Sequence, residues 1–198
     1  FFNVNLAPNK IYNIKNIKFI SNESSINASN VTLNKDFQLV DLKKIKVKTF
    51  LNNKKNNSFI IEKSKKIEIS GEVFDAQPLL KSLYEKNKKK NFSKNFTSNI
   101  KINFKKTLTG TSDIISDFSL IALIKKGSFE KLSLKGNFSE NEVVEMSIYP
   151  NDNDKKILYV VSDRAKPFVK NFDFIKGFED GKLEYESVIT KKESKANL

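Results

Sequence analysis

A chain of 198 residues with a net charge of +13, no cysteine and no histidine excludes more chemistry than it suggests. Without Cys there is no disulfide framework, thiol catalysis or cysteine metal site, and without His the commonest general base and metal ligand are gone. The basic excess is lysine, with Arg164 the single arginine, and lysine lacks the planar fork by which arginine grips phosphates and guanine edges. Lys, Asn, Ile and Phe share AT-rich codons, so the charge reflects composition before it reflects a partner. A lysine-covered face also keeps an extended sheet soluble and its edges apart. No apolar run approaches the ~18 residues of a membrane span, and no signal-peptide pattern occurs. The opening FFNVNL, without an initiator Met, is expected of an excised or processed segment of a longer chain.

In chain order, Ile17 and Phe19 alternate against Lys18, and the polar run from Ser21 to Asn30 reads as a turn or loop. Val31 with Leu33, then Phe37 with Leu39, predict two short strands around Asn34-Lys35-Asp36. Ile45, Val47, Thr49 and Leu51 alternate more cleanly. Asn52 to Asn57 reads as a polar turn before Phe59 and Ile61. From Ile67 to Val73 the period is two, with Glu68, Ser70 and Glu72 on the wet side. At Asp75 the pattern changes to a short helix: Asp75 can cap it, Pro78 is tolerated in its first turn, and Leu79, Leu80, Leu83 and Tyr84 cluster on one side.

Glu85 to Ser98 reads as an exposed connection dense in Lys and Asn. Ile100, Ile102 and Phe104 then oppose Lys101, Asn103 and Lys105, and Thr109-Gly110-Thr111 is a turn. Phe118, Leu120, Ala122 and Ile124 share one parity with Ile121 and Leu123 on the other, which predicts a strand buried on both faces. Leu132, Leu134, Gly136 and Phe138, and next Val144, Met146 and Ile148, form dry faces in turn. Ile157 to Val161 repeats the earlier grammar, a strand meeting Asp163, then Pro167, Phe168, Val169 and Phe172. Gly177 and Asp180-Gly181 mark turns before Leu183 and Tyr185, and the charged tail frays.

About ten strands joined by short turns describe an antiparallel meander, mainly β, with two short amphipathic helices. The ordinary outcome is a sandwich or barrel whose dry faces meet. The same alternation also suits an open, curved sheet whose dry faces line a groove.

Candidates for chemistry dissolve on inspection. Glu184 with Glu186, and Glu140 with Glu142, share wet faces, where nothing separates their pKa values for acid–base work. Asn151-Asp152-Asn153-Asp154 lacks the Gly and bidentate Glu of a calcium loop. Gly110 and Gly127 belong to no phosphate-binding pattern, and no catalytic constellation, metal site or cofactor motif emerges. Lys88 to Lys106 interleaves Lys with Phe92, Phe96 and Phe104, a pattern that can stack single-stranded bases. A solvated loop leading into a strand whose Phe104 points to the core is the reading the residues favour, and with one arginine in the chain nucleic acid is not expected as a partner.

The units GEVFDAQPLLKSLYEK at Gly71 and SDRAKPFVKNFDFIKGFEDGKLEYES at Ser162 resemble the AsmA-like superfamily, most closely its large YhdP/TamB-type envelope chains. There a strand ends in a small-residue or Asp-containing turn, a short helix follows, then a Gly-containing turn and a new strand. Asp75, Leu79, Leu80 and Leu83 match the first unit; Asp163, Phe168, Val169, Phe172, Gly177, Gly181 and Leu183 match the second. Lys166-Pro167 departs from the Gly that often begins that helix. The resemblance covers about Ile67 to Ser187. On it, residues 1–198 form one segment of a longer chain, with residues 1–64 matching only in strand texture and residues 65–198 carrying the strand–helix units.

The resemblance implies an elongated, taco-like β-groove, dry inside and polar outside, that carries phospholipid across the periplasm between inner and outer membranes. Anchoring to the inner membrane would come through a segment outside this sequence. A sixteen-carbon tail costs about 13 kcal/mol in water, at about 0.8 kcal/mol per methylene, and a dry trough removes most of that without catalysis. An eight-residue strand, about 26 Å long, is wide enough to curl around acyl chains. On this basis the groove lining is expected to be Ile67, Ile69, Ile100, Ile102, Phe104, Leu132, Leu134, Val144, Met146 and Ile148. Leu79, Leu80, Leu83, Phe168, Val169 and Phe172 are expected to plug or cover the trough. A closed-core scaffold or adhesive module of the envelope is the alternative, with a basic single-stranded nucleic-acid binder using Lys88 to Lys106 the third and weaker reading.

Overall fold

The computed structural model describes residues 4–6, 11–35, 37, 39–84, 96–151, 155–169 and 180–189. The strands are β1 (Val4–Leu6), β2 (Tyr12–Ser21), β3 (Ser24–Leu33), β4 (Leu39–Leu51), β5 (Lys54–Lys63) and β6 (Ile67–Asp75). Helix α1 (Gln77–Tyr84) follows, then β7 (Ser98–Leu108), β8 (Ile114–Lys125), β9 (Ser128–Ser139), β10 (Glu142–Pro150) and β11 (Lys156–Ser162). A single turn, α2 (Lys166–Val169), precedes β12 (Leu183–Ile189). All twelve strands form one sheet in their sequence order.

The sheet is curved, open and mostly antiparallel, with only the two short helices; the alternation led us to expect the antiparallel meander, and the resemblance its open, curved form. Every extensive contact between elements joins strands that are neighbours in the sheet. No second sheet therefore covers the dry face, and the sandwich and barrel outcomes do not apply to the described residues.

Four local readings change. Residues 24–30 are strand, and the loop shrinks to Asn22-Glu23. This stretch hides its pattern because small polar residues separate its two inward apolar ones, Ile26 and Ala28, which face Val47 and Ile45 of β4. The turn expected over Asn52 to Asn57 is only Asn52-Asn53, both with positive φ (50° and 59°), and strand resumes at Lys54. Such a two-residue loop with both centres left-handed matches the twist of a hairpin, and Asn tolerates it. Strand β8 is not buried on both faces, since Ile121 is 63% exposed; no layer exists on that side to cover it.

Finally, one junction breaks the meander. Strands β6 and β7 pair in parallel, so β7 begins at the rim opposite the one where β6 ends, and the connection between them is a crossover and not a hairpin. Asp75 caps α1 as expected, its Oδ1 accepting from Gln77 N at 3.1 Å. The second unit differs. Asp163 Oδ2 accepts from Val143 N at 2.9 Å, tying the end of β11 to β10, and Ser162 Oγ holds the backbone of Arg164 instead. Its sequel, β12, then pairs antiparallel with β11.

Candidate functional site

Side-chain alternation and register place three rows of residues along the same face, each running across the strands. The central row is Ile17, Ala28, Ile45, Ile61, Ile69, Ile102, Leu120, Leu134, Met146, Val160 and Tyr185. It is unbroken from β2 to β12. At about 4.8 Å per strand it extends roughly 48 Å. From Ile17 to Met146 every member is half-buried, Val160 is buried and Tyr185 exposed. Apolar side chains in a packed core would be covered; these keep contact with solvent along most of the row.

The row on the helix side is aromatic near its middle. Phe19, Ile26, Val47, Phe59, Gly71, Phe104 and Phe118 are successive partners, and Gly136, Val144, Ser162 and Leu183 complete it beyond a bulge in β8. Phe104 stacks on Phe74 at 4.9 Å and meets Phe59 edge-on at 5.9 Å, favourable arrangements for aromatic pairs. Gly71 makes the cluster possible: a Cβ there would stand 2.2 Å from the Ser58 carbonyl oxygen and 2.5 Å from Phe59 Cβ. Gly136 plays the same part for Ile115, whose Cγ2 would meet a Cβ at 2.3 Å.

The third row changes character along its length. From β6 onward it is Ile67, Ile100, Ala122, Leu132, Ile148 and Leu158. Towards β2 the partner of Ile67 is Lys63, and the pairing is interrupted at Lys15, Asn30 and Lys43, which stand between the pairs Ile14–Val31 and Asn16–Ser29 of β2 and β3 and between Val31–Leu42 and Ser29–Lys44 of β3 and β4. There the lining is cationic, and Asn30 takes a left-handed φ of 50°. These residues border a hollow of about 750 Å³, together with Asn13, Ile14, Val31, Thr32, Asp41, Leu42 and Ser64. Lys63 donates to Asp41, and that bond holds the Asp41 carboxyl below its usual range.

All ten residues expected to line a groove lie on this face, with Phe104, Leu132 and Val144 buried and the other seven half-buried. Sequence reasoning left out Ile17, Ala28, Ile45, Ile61, Leu120, Ala122, Leu158 and Val160. The first four stand where the sequence gives strand texture and no strand–helix unit. Val160 was masked by apolar residues on both parities of Ile157 to Val161. The opposite face is wet and carries cross-strand ion pairs, among them Lys44–Glu62 at 2.5 Å, Lys55–Glu72 at 2.8 Å and Lys135–Glu145 at 3.0 Å.

No family model, curated protein or solved structure matches this chain. The geometry must carry the functional reading.

Both helices leave the same rim, α1 after β6 and α2 after β11. At that rim Ala76, Thr107, Ile115, Val144, Ser162, Ala165 and Val169 are all buried. Of the residues expected to plug the trough, Val169 is buried, Leu80 and Phe168 are half-buried, and Leu79 is 55% exposed. The side chain of Leu83, and Phe172 altogether, lie outside the described residues. Arg164 binds this rim together. Its Nη1 donates to Asp113 Oδ1 at 2.7 Å, its Nη2 to Glu142 Oε2 at 2.5 Å, and its Cζ lies 5.5 Å from the Phe138 ring centre. The guanidinium, with Ser139, holds the Glu142 carboxyl below its usual range, and Lys182 with the Val143 N–H does the same for Asp163.

The remaining sequence candidates are explained by solvent and packing. Glu140, Glu184 and Glu186 are exposed, and Glu142 is committed to Arg164. Of Lys88 to Lys106, residues 88–95 lie outside the described residues, and Phe104 is 5% exposed within the aromatic cluster, where no base can stack on it. Asp152 to Asp154 also lie outside.

Proposed function

We propose that this chain is a non-catalytic segment of a lipid-transport and envelope-biogenesis protein, conducting phospholipid along its apolar groove across the periplasm between inner and outer membranes. The parent protein would be anchored in the inner membrane through chain beyond this segment. One observation carries the reading: an apolar row crosses eleven strands without a polar interruption, and most of it keeps contact with solvent on a sheet that does not close. A folded protein has little reason to leave such a row uncovered unless something apolar visits it.

Acyl chains are the matching visitor. Their transfer free energy accumulates at about 0.8 kcal/mol per methylene, so a lining uniform along its length lets a tail slide without a large step at any strand. The rows run across the strands, so the path lies along the hydrogen-bonding direction and grows as strands are added. The resemblance of the two strand–helix units to AsmA-like envelope chains points the same way.

The test is a charge placed in the path. With Ile102→Asp or Leu134→Asp, transfer of fluorescent phospholipid between vesicles falls at least about tenfold, because an ionised carboxylate in an apolar lining is costly, while far-UV circular dichroism stays that of the wild type. Loss of all β-structure in both variants would make the row a folding core, and unchanged transfer would remove it from the path.

A further inference from the structure

The basic end of the third row has no role in carrying tails, and its chemistry is specific. Lys15, Lys43 and Lys63 line one hollow with the neutral Asn30, and Asp41 is the one carboxylate beside them. Asp41 neutralises Lys63. Lys15 and Lys43 have no carboxylate partner among the described residues, so among these the hollow's border holds three lysines against one carboxylate. Lys15, Asn30 and Lys43 are exposed, so their ammonium and amide groups are free to meet a ligand. Ile14 and Val31, 8% and 5% exposed, border the same hollow. The hollow sits at the rim opposite the helices, two residues along each strand from the central apolar row.

We propose that this hollow seats the phosphate of an anionic phospholipid whose tails lie on the central row, so that the β2–β5 end of the groove selects for headgroup charge. The inference rests on the groove reading and adds a substrate class to it. The occupant is a lipid with net negative charge, because two lysines unpaired with any carboxylate among the described residues and an adjoining dry row complement the two halves of one amphiphile. A lysine near such a phosphate gains attraction that a glutamine of similar size does not, and salt screens that gain.

The experiment compares binding of the 198-residue chain to short-chain phosphatidylglycerol, short-chain phosphatidylcholine and inorganic phosphate at low and high salt. The wild type is expected to prefer phosphatidylglycerol by about tenfold at low salt, with the preference shrinking at high salt. The double variant Lys15→Gln, Lys43→Gln loses the preference and keeps its phosphatidylcholine affinity; Lys15→Arg, Lys43→Arg retains it. Equal affinity of the wild type for both lipids overturns the headgroup site and leaves the groove standing. Binding of neither lipid overturns the groove itself. Phosphate competing as well against the double variant as against the wild type also overturns the site, and phosphate binding that matches phosphatidylglycerol in strength makes it a free-phosphate site instead.

Discussion

Follow the strand positions two residues from the central row, on the rim away from the helices, from β2 to β11, and their chemistry reverses at the β5–β6 junction, from Lys15, Asn30, Lys43 and Lys63 to Ile67, Ile100, Ala122, Leu132, Ile148 and Leu158. The central row beside them stays apolar throughout. The first half of the sheet thus carries two apolar rows, the central one and Phe19, Ile26, Val47 and Phe59 on the helix side, with a charged border, and the second half adds a third apolar row in place of that border. Burial divides at the same place: Ile14 and Val31 are the buried apolar residues of β2–β5, while β7–β11 hold Phe104, Ile115, Ala122, Ile124, Leu132, Val144 and Val160. Both helices attach to the second half. The lesson is that one register serves two purposes, stability where the floor is wide and capped, and exposure where it is narrow and open.

The largest expected effect sits at the junction. Gly71→Val places carbon where the Ser58 carbonyl and Phe59 already stand and should cost about 3 kcal/mol, the upper end of ordinary overpacking. Urea unfolding measures it, and a loss under 1 kcal/mol would mean that the aromatic cluster rearranges freely. Next, Arg164→Ala removes the tie among Asp113, Glu142 and α2. Amide exchange should speed up in loop 109–113 and in β10–β12 while β2–β5 stay as protected as before. Uniform loss of protection would show that the halves are not separable.

A smaller effect is expected from pH. Glu142, Asp163 and Asp41 all have carboxyls held below their usual range. Their contribution is therefore complete above the unfolded-state value near about 4 and is lost as pH falls through the lower folded-state values. The thermal midpoint should stay level from about pH 7 to 5 and drop below about 4, less steeply for Arg164→Ala. A midpoint that rises below pH 4 would reverse the sign of these pairs.

Much of this was legible in the sequence, and what was not has physical causes. Period-two alternation disclosed β6, β7, β9 and β10 and the shared face of the ten residues expected to line a groove, because those strands set large apolar residues against Lys, Ser or Glu. Residues 24–30 escaped because Ile26 is their one large apolar residue, Ala28 is small and Asn and Ser fill the rest, so burial of that strand depends on partners far along the chain. The parallel β6–β7 pair could not be read locally, since direction is set by where the crossover lands. The switch from lysine to isoleucine along one row was invisible for the same reason: Lys15, Lys43 and Lys63 become neighbours only through register. Open against closed was undecidable, as alternation is the same for a face that meets another and one that meets water.

The central claim is that the uncovered row is a place where acyl chains travel, and site-specific photo-crosslinking tests it most directly. A photoreactive side chain is placed at Ile45, Ile102 or Met146 on the row, or at Ile121 on the outer face, which is 63% exposed. Irradiation with phospholipid vesicles should give lipid adducts from the three row positions and none from Ile121. Adducts from Ile121 alone, or protein–protein links from the row with no lipid attached, would contradict the account.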